Sequence, residues 1–542
     1  MADGRACCRA AIVLTVFICY AKGEFMQGSL YVNAPMNFTF KSDTLDTKNA
    51  AAYATYNDTL LTTGWGVLDI KAGYGKTLPD NQLMFAAGAI EGVLTAKRMY
   101  QHYTNMYGVF LNGKSDKVID GLKSFYNAQD KWIRQQIEKN LSDPFWRHVW
   151  YILCQLDGLY LGYKYMADQK VVPDIGFFGV QFLNGAGDLL DLMNVIDPDS
   201  RPDFSKMTPD EIQSYIASSG HCSALVKVTG AYENIFMSHS SWFVYAATLR
   251  IYKHYDFNVR DKDTAARQLS FSSYPGFLES LDDFYIMGNN IVVLQTTNNV
   301  FNMSLYDYVK PQSVFAWQRV RVANMMARNG QQWGEIINTC NSGTYNNQYM
   351  VINLNQVHLG KSLDDGTLYV VEQIPSLVKY ADVTPILRDG HWPSYNVPFF
   401  ESVYNLSGYP DFVRQHGLDR SYQMAPRAKI FRRDAGKVTD MDSMMKIMRY
   451  NDYLHDPYSD KKPCNAICCR GDLDPKNPKA DGCYDTKVTD FAMAQKRMSY
   501  AISGPTLGTG LPPFVWSPKF NVSHIGLPPK YNFGFVMMHP RF

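Results

Sequence analysis

Apolar residues recur every three or four positions in three long segments of the N-terminal half of the chain. These segments are residues 81–107, 122–140 and 145–169. Such a stripe of apolar side chains is typical of a helix that packs one face against a core. The pattern therefore predicts three long helices, and the shorter runs between residues 29 and 72 predict strands and turns ahead of them.

The hydrophobic period changes to two after residue 221. Alternation of apolar and polar residues predicts strands at residues 222–228, 233–243, 248–257, 284–295, 350–355 and 368–373. Within residues 284–295 the sequence Gly288-Asn289-Asn290 is typical of a tight hairpin turn, so that segment should fold back on itself. Residues 309–326 return to helical spacing and predict another helix.

A segment between these two regions, residues 195–221, is rich in turn-forming and charged residues. A short helix is expected at residues 208–218, with Thr208 as its N-cap and Glu211 three residues later. The sequence Ser218-Ser219-Gly220 then ends the helix. We expect residues 195–221 to form an exposed linker, which is a natural place for proteolytic cleavage.

Helix-rich segments on either side of a strand-rich centre favour an α+β fold built from packed layers. A chain of 542 residues is long enough for two to four domains of ordinary size. One large layered fold also reaches this length, so the number of domains stays open. The sequence contains no tandem repeat that would indicate a solenoid.

The first 21 residues have the layout of a secretory signal peptide. Arg5 and Arg9 precede an apolar run, and the small residues Cys19 and Ala21 occupy the positions expected before a cleavage site. The run is too short to span a bilayer comfortably, and no later segment has 18 uninterrupted apolar residues. We therefore expect no transmembrane segment and a secreted or lysosomal protein. Six glycosylation sequons fit that route, at Asn37, Asn57, Asn140, Asn302, Asn405 and Asn521.

Seven cysteines remain once residues 1–21 are removed, and four of them cluster near the C-terminus. The cluster lacks the paired CxxC spacing of zinc ribbons, so disulfides are favoured over a zinc site in an oxidising compartment. Adjacent Cys468 and Cys469 rarely bond to each other, because the ring would be strained. We expect the pairs Cys464–Cys469 and Cys468–Cys483.

Several classes of function are disfavoured by charge and by missing motifs. The net charge of +2 gives no sign of the basic face of a nucleic-acid-binding protein. The chain has no Gly-x-Ser-x-Gly elbow and no His-Glu-x-x-His motif, which argues against an α/β-hydrolase serine site and a zincin metalloprotease.

The most informative stretch is Gly220-His221-Cys222-Ser223, where a potential nucleophile lies between the linker and the start of a predicted strand. If the peptide bond between His221 and Cys222 is cut, Cys222 gains a free α-amine with a pKa near ~8. That amine can take the proton of the thiol, so one residue supplies both nucleophile and base. The alternative is that Cys222 is a buried structural thiol.

Motifs that occur in order across most of the mature chain resemble the phospholipase B-like family. They are His221-Cys222-Ser223-Ala224-Leu225-Val226-Lys227, His239-Ser240-Ser241-Trp242, Leu183-Asn184-Gly185-Ala186-Gly187-Asp188-Leu189, Leu294-Gln295-Thr296-Thr297-Asn298, Ser394-Tyr395-Asn396-Val397-Pro398-Phe399-Phe400 and Ala425-Pro426-Arg427-Ala428. The resemblance implies a four-layer αββα N-terminal-nucleophile hydrolase that is lysosomal or secreted. It also implies self-cleavage before Cys222, into an N-terminal fragment (residues 22–194, followed by the linker) and a C-terminal fragment (residues 222–542) that stay together. The activity implied is hydrolysis of acyl bonds in phospholipids, with no metal or organic cofactor.

The resemblance also suggests which side chains surround the nucleophile. His239 would hydrogen-bond the nucleophile or the leaving group, and Trp242 would shape the pocket. Asp256 would orient the free amine, and Thr297 or its neighbour Thr296 would donate a hydrogen bond to the amine or the acyl group. Asn396 would donate to the oxyanion. Arg427 would fix Asp256 or bind a phosphate.

Two other functions fit the same sequence. One is an amidase that uses the same nucleophile on N-acyl lipids or small peptides. The other is a glycoprotein that keeps the fold but binds lipids or a partner without catalysis. Assays with phospholipid and amide substrates would separate these functions. The sequence leaves the oligomeric state open.

Overall fold

The structure, a computed structural model, describes residues 23–218 and 221–542. The predicted signal peptide lies outside the described residues. The strands are β1 (Glu24–Ala34), β2 (Asn37–Ser42), β3 (Ala52–Thr59), β4 (Trp65–Ala72), β5 (His221–Val228), β6 (Ile235–Val244), β7 (Ile251–Phe257), β8 (Gln268–Ser273), β9 (Tyr285–Met287), β10 (Ile291–Thr297), β11 (Asn347–Asn353), β12 (Val357–His358), β13 (Ser362–Leu363), β14 (Leu368–Ile374), β15 (Leu377–Asp382), β16 (His391–Ser394), β17 (Asp481–Cys483), β18 (Asp485–Asp490), β19 (Ser499–Ser503) and β20 (Val536–Met538).

The helices frame these strands along the chain. They are α1 (Leu60–Thr63), α2 (Asp80–Phe110), α3 (Asp116–Asn140), α4 (Pro144–Asp168), α5 (Gly176–Asn184), α6 (Ala186–Ile196), α7 (Pro209–Ser218), α8 (Ala316–Met326), α9 (Gly330–Asn338), α10 (Thr384–Leu387), α11 (Glu401–Leu406), α12 (Tyr409–His416), α13 (Pro426–Asp434), α14 (Met441–Met448) and α15 (Phe491–Gln495). Large sheets combined with helices make the fold α+β, as the sequence predicts.

Two large sheets contain almost all of the strands. The larger has the order β15-β14-β11-β10-β9-β8-β7-β4-β3-β1-β2. In it β4 and β7 run parallel, and the other neighbours are antiparallel. The second sheet has the order β16-β5-β6-β18-β19-β20, and β17 also pairs with β6. Strands from both sides of residue 221 therefore share the larger sheet, which joins the two halves of the chain.

The central strands of the larger sheet bury both of their faces, and successive side chains point to opposite sides. In β11 Tyr349 and Val351 belong to a core shared with helices such as α2 and α4, whereas Met350 and Ile352 belong to a second core. That second core also contains Ala224 of β5, so it lies between the two sheets. A third core joins the opposite face of the second sheet to α13 and α14.

Helices α2 and α4 pack backbone against backbone through glycines. A β-carbon added at Gly88 would lie 1.9 Å from the carbonyl oxygen of Gln155, and one at Gly158 would lie 2.1 Å from the carbonyl oxygen of Phe85. Gly92 and Gly162 make the same kind of approach one turn further along. The helices can come this close only because these positions carry no side chain.

Most of the predicted elements are found, with shifted ends. Helices α2 and α3 begin earlier than predicted, and α2 also ends later, whereas α4 matches its predicted bounds to within one residue. Asp143 caps α4 by accepting from the backbone N–H of Phe145. The predicted helix at residues 309–326 begins only at Ala316. Pro311 explains the late start, because proline disfavours helical backbone at the residue before it.

The segment at residues 195–221 is less exposed than the sequence predicts. The expected cap is present: the backbone N–H of Glu211 donates to Thr208 Oγ1 at 3.3 Å, and the Glu211 carboxylate accepts from the backbone N–H of Thr208 at 2.7 Å. Phe204, Ile212 and Ile216 are buried in the third core. Three large apolar side chains therefore anchor the segment against the C-terminal half.

Candidate active site

Cys222 is the second residue of β5, and its side chain points between the two sheets. Ala224, two residues on, lies in the inter-sheet core, and side chains two apart on a strand share a face. On the neighbouring strand β6, Ser241 is directly opposite Cys222 and His239 is directly opposite Ala224. His239 and Ser241 therefore face the same space as the thiol. Trp242 points the other way, as its different parity predicts.

The backbone of Cys222 is held on both sides by side chains from the distant residues Asn396 and Arg427. Its N–H donates to Asn396 Oδ1 at 3.1 Å, and its carbonyl oxygen accepts a hydrogen bond from the Arg427 guanidinium. Arg427 Nη2 also donates to Asn396 Oδ1 at 2.8 Å. The atom that would become the α-nitrogen after a cut before Cys222 thus already has an acceptor.

Asn396 does not present its amide group to the nucleophile in the way the sequence predicts. Its Nδ2 donates to the carbonyl oxygen of Thr297 at 2.7 Å, while its Oδ1 accepts from Arg427 and Cys222. Arginine can only donate and a carbonyl can only accept, so this network fixes which end of the amide faces Cys222. In the uncut chain Asn396 is therefore an acceptor for the Cys222 nitrogen, and one of its two N–H donors is taken.

Trp242 lines both cavities and packs against the disulfide-bonded cysteines. The Arg427 guanidinium lies 4.4 Å from the centre of its ring, and the ring of His221 stacks on it with centroids 6.1 Å apart. Burial lowers the pKa of Arg427 to about 10, so the guanidinium stays charged at physiological pH. Trp242 packs and shapes the site, in line with its predicted role.

Asp256 lies away from this group, so the structure does not bring it to the Cys222 nitrogen or to Arg427. Its carboxylate accepts from Tyr74 at 2.5 Å and from Gln268 at 3.1 Å, and it pairs with Lys71 at 3.4 Å. Asp256 belongs to β7, and Arg250 immediately precedes the first residue of that strand. Arg250 forms ion pairs with Asp282 and Asp485, which lie near the thiol. Asp256 is six residues further on, about 20 Å at the usual rise of a strand.

A cluster of buried charges lies beside the thiol, and the sequence analysis missed it. Lys487 Nζ lies 2.6 Å from Asp282, 2.8 Å from Asp485, 2.7 Å from Ser241 Oγ and 3.1 Å from His239 Nδ1. Arg250 adds ion pairs of 3.0 and 3.1 Å to the same two aspartates. Two cations and two carboxylates balance, which is the condition for keeping charges in a dry interior.

His239, Asp282 and Asp485 offer ligand atoms within 4.8 Å of one another, a spacing that would suit a metal ion. The Lys487 ammonium is within hydrogen-bonding distance of all three. The Lys487 ammonium therefore occupies the place and supplies the positive charge that a metal ion would otherwise provide to the two carboxylates and the imidazole. This arrangement gives no reason to add a metal to the site.

The tautomer of His239 follows from its contact with Lys487. An ammonium group has only donors, so His239 Nδ1 must accept, and in the neutral ring Nε2 then carries the proton. Burial and the charge of Lys487 lower the pKa of His239 well below its ordinary value, which keeps the ring neutral. His239 can therefore donate a hydrogen bond through Nε2 but cannot accept the thiol proton there.

The thiol of Cys222 is held in its protonated form in the uncut chain. Burial raises its pKa to about 12, with Asp282 contributing in the same direction and Lys487 opposing it. Cys222 is not in a disulfide, and neither are Cys154 and Cys340. An activating base is therefore needed before this sulfur can act as a nucleophile.

Two cavities lie next to each other here. His221 and Trp242 line both of them, and Cys222 lines the smaller one. The larger, of about 80 Å³, is polar on the side of Asn396 and Arg427. The smaller, of about 30 Å³, is lined by Cys222, Thr297 and mostly apolar side chains, which include Phe110, Leu190 and Phe243. Asp282, Ser241 and the tyrosines Tyr274, Tyr345 and Tyr484 also line it. Thr297 lines this cavity, whereas the hydroxyl of Thr296 is hydrogen-bonded to the hydroxyl of Ser394 at 2.6 Å.

Disulfides fix the loop that borders the larger cavity. They join Cys464 to Cys469 and Cys468 to Cys483, the two pairs expected from the sequence. The six sequon asparagines are all at least partly exposed. No helix in the described part of the chain is long and apolar enough to cross a membrane.

Comparison with known proteins identifies the family. The sequence pattern of the family described as Phospholipase B matches residues 52–538. The chain belongs to the phospholipase B family. A phospholipase B of Crotalus adamanteus is 52% identical over 511 residues, covering 94% of this chain and 92% of that protein. Phospholipase B-like 1 of Homo sapiens is 54% identical over 495 residues, covering 91% of this chain and 88% of its own.

More distant members of the phospholipase B family align with this chain over a similar length. Phospholipase B-like protein D of Dictyostelium discoideum is 36% identical over 508 residues, covering 90% of this chain and 87% of that protein. Membership supports a phospholipase-like hydrolase with a lipid substrate.

Proposed function

We propose that this chain is a self-processed cysteine hydrolase of the N-terminal-nucleophile type. It would be cut between His221 and Cys222 and would then cleave acyl-ester bonds of phospholipids. The observation that carries the proposal is the placement of Cys222. Its N–H donates to Asn396 Oδ1, its carbonyl oxygen accepts from Arg427, and its side chain lines the smaller, mostly apolar cavity, which adjoins the cavity that contains Asn396 and Arg427.

The proposed fold is the four-layer αββα sandwich of that hydrolase class. Three successive cores support it: one between helices and the larger sheet, one between the two sheets, and one between the second sheet and further helices. A nucleophile at the start of a strand, facing the space between two sheets, fits this arrangement.

Self-cleavage would use the thiol against the peptide bond that precedes it. Cys222 Sγ adds to the carbonyl carbon of His221, the bond from that carbon to the Cys222 nitrogen breaks, and the thiol proton ends on the departing nitrogen. The resulting thioester is hydrolysed by water, which leaves a carboxylate on His221 and restores the thiol. Asn396 Oδ1 is positioned to hold the new amine.

In the mature enzyme the free amine would be the base that the buried thiol lacks. An α-amine has a pKa near ~8 and can accept the thiol proton from within the same residue. The thiolate attacks the ester carbonyl, the alcohol leaves with that proton, and water releases the fatty acid from the thioester. Thr297 lines the cavity beside the thiol. His239 faces the same inter-sheet space from β6, and its Nε2–H, which is buried without a partner among the described residues, would donate towards the reacting group.

The linker would restrict the site until it is displaced. Ile216 and His221 line the larger cavity, and both precede the proposed cut. Cleavage before Cys222 frees the end of residues 195–221 to leave this cavity, and a second cut would remove the segment. The N-terminal fragment would remain bound, because β4 pairs with β7 and Glu91 of α2 forms a buried ion pair with Lys253 at 2.7 Å.

The two cavities favour an amphipathic substrate. The apolar side chains beside the thiol suit the first carbons of an acyl chain, since a cavity of about 30 Å³ is too small for a whole chain. The polar groups of Asn396 and Arg427 in the other cavity suit a head group. We further propose that the protein is secreted or lysosomal and glycosylated at some of its six sequons. The proposed signal peptide and the disulfide-bonded loop support that compartment.

Mass analysis of the purified protein tests the proposal. The wild type should give a fragment beginning at Cys222, and Cys222→Ala should remain one chain. Cys340→Ala, which alters another free thiol, is the matched control and should be cut normally. Mature protein should release fatty acid from phospholipid vesicles. Turnover of N-acyl amides alone would favour the amidase, and lipid binding without turnover would favour a non-catalytic role.

A further inference from the structure

A separate cavity of about 500 Å³ lies between the end of α14, the loop after β19 and residues 531–533. None of its lining residues lines the two cavities at Cys222. Its volume is within the range of small-molecule sites, which are roughly 300–1,000 Å³. It is therefore large enough for a ligand of its own.

The charged side chains that line this cavity are all positive. Lys446 and Arg449 line it, and none of its lining side chains in the described part of the chain is acidic. The remaining polar groups include the hydroxyl-bearing residues Ser503, Thr506 and Thr509. Asp485 attracts the Arg449 guanidinium from outside the lining, and the Thr506 hydroxyl already donates to the Arg449 carbonyl oxygen. The cations that line the cavity itself are complementary to an anion.

Two polar atoms at this cavity lack hydrogen-bond partners among the described residues. Arg449 Nη2 donates to the carbonyl oxygen of Gly504 at 3.0 Å, but Arg449 Nη1 is buried without a partner. Ser503 is 2% exposed, and its Oγ is also unpartnered. Both atoms are closed off from solvent in this conformation, so each side chain must rotate to reach an acceptor in the cavity. Such an acceptor would remove the cost of a buried donor without a partner.

The remaining walls of the cavity are apolar or carry amides. Leu507 and Phe533 are among its lining residues, together with Asn532. An inorganic anion alone would leave this part of the cavity without contact. A compact organic group attached to the anion would fill it.

We propose that this cavity binds a small phosphorylated organic molecule, with Arg449 and Ser503 donating to the phosphate and Lys446 attracting it at the mouth. Arginine has the fork of donors that matches phosphate oxygens. The site does not depend on the proposed chemistry at Cys222, since no residue is shared. It would let the protein respond to a soluble phosphorylated compound at a distance from the thiol.

Calorimetric titration of the full protein with glycerol 3-phosphate tests the proposal. Binding should be detectable below about 10 mM. Lys446→Gln, an exposed residue whose change leaves the core intact, should weaken binding about fivefold, and Arg449→Gln at least about tenfold. Lys437→Gln removes the same charge from an exposed position outside the cavity and should leave binding unchanged.

Inorganic phosphate and vesicles containing an anionic lipid serve as the other arms of the experiment. Inorganic phosphate should bind more weakly than glycerol 3-phosphate, because it leaves the apolar wall uncovered. Binding to vesicles without binding to soluble phosphates would overturn the proposal in favour of a membrane contact. Equal binding by the wild type, Lys446→Gln and Arg449→Gln would also overturn it.

Discussion

Glu372 of β14 supports the loop that carries Asn396, and it does so from a fully buried position. Its carboxylate accepts from Gln348 and from the backbone N–H of Phe399, both at 2.6 Å, and from the N–H of Phe400 at 3.1 Å. Burial outweighs these hydrogen bonds and raises the pKa of Glu372 from 4.5 to about 7. The folded protein therefore holds a proton here over a pH range in which the unfolded chain has lost it.

The sign and size of the effect on folding stability follow from the difference between the pKa of Glu372 in the folded protein and in the unfolded chain. A carboxyl group whose pKa is raised on folding contributes stability that is complete below its unfolded pKa and is lost as the pH rises through its folded pKa. For Glu372 this window runs from pH 4.5 to about 7. The contribution at pH 4.5 relative to pH 8 is about 3 kcal/mol. Glu372→Gln cannot titrate, so it should destabilise the protein more at pH 4.5 than at pH 8, by about that amount.

Urea titrations of wild type and Glu372→Gln at the two pH values measure this difference. Other titrating groups are common to both proteins and cancel, while any cost of the amide's altered hydrogen bonds is the same at both pH values. Glu335→Gln, at an exposed position, is the control and should show no such dependence. If Glu372→Gln lowers stability equally at both pH values, the carboxyl group is ionised in the folded protein and the reasoning is wrong.

Three further changes test other parts of the molecule. Gly88→Ala should destabilise the protein by about 1–3 kcal/mol in urea, because its new methyl group meets a backbone carbonyl 1.9 Å away; Gly108→Ala in the same helix, with its nearest contact at 3.7 Å, should not. Cys483→Ser opens a loop of 15 residues and should cost about 3 kcal/mol. Because Cys468 is buried, its thiol should be counted in denaturant, where the variant should show one more free thiol than the wild type; an unchanged count would contradict this pairing. Leu190→Trp should fill the apolar cavity and reduce release of long acyl chains while self-cleavage continues; unchanged chain preference would exclude this cavity as the acyl site.

Local patterns predicted the elements well where one face of the chain is buried. The amphipathic stripes gave α2, α3 and α4, and the hairpin turn at residues 288–290 lies between β9 and β10 as expected. Helices α5 and α6, and those between residues 401 and 448, went unpredicted. Several of these are short, and their stability comes from the core against which they pack rather than from a long stripe of their own.

The site itself was predictable only in part, because its residues are far apart along the chain. Asn396 and Arg427 reach Cys222 across 174 and 205 residues, distances over which spacing carries no information. Asp485 and Lys487 alternate on β18 and so share a face, a signal available in the sequence. It was missed because the region follows a cysteine-rich loop and was not recognised as a strand.

The parallel pairing of β4 with β7 has a consequence for the lifetime of a processed enzyme. Gly66 to Ala72 align with Ile251 to Phe257, so the central sheet is complete only while both pieces are present. A cut before Cys222 turns refolding from a unimolecular event into an encounter between two polypeptides, whose yield falls with dilution. A molecule that opens in a protease-rich compartment would then seldom reassemble. Its persistence would be governed by how slowly it unfolds rather than by the equilibrium between its folded and unfolded forms.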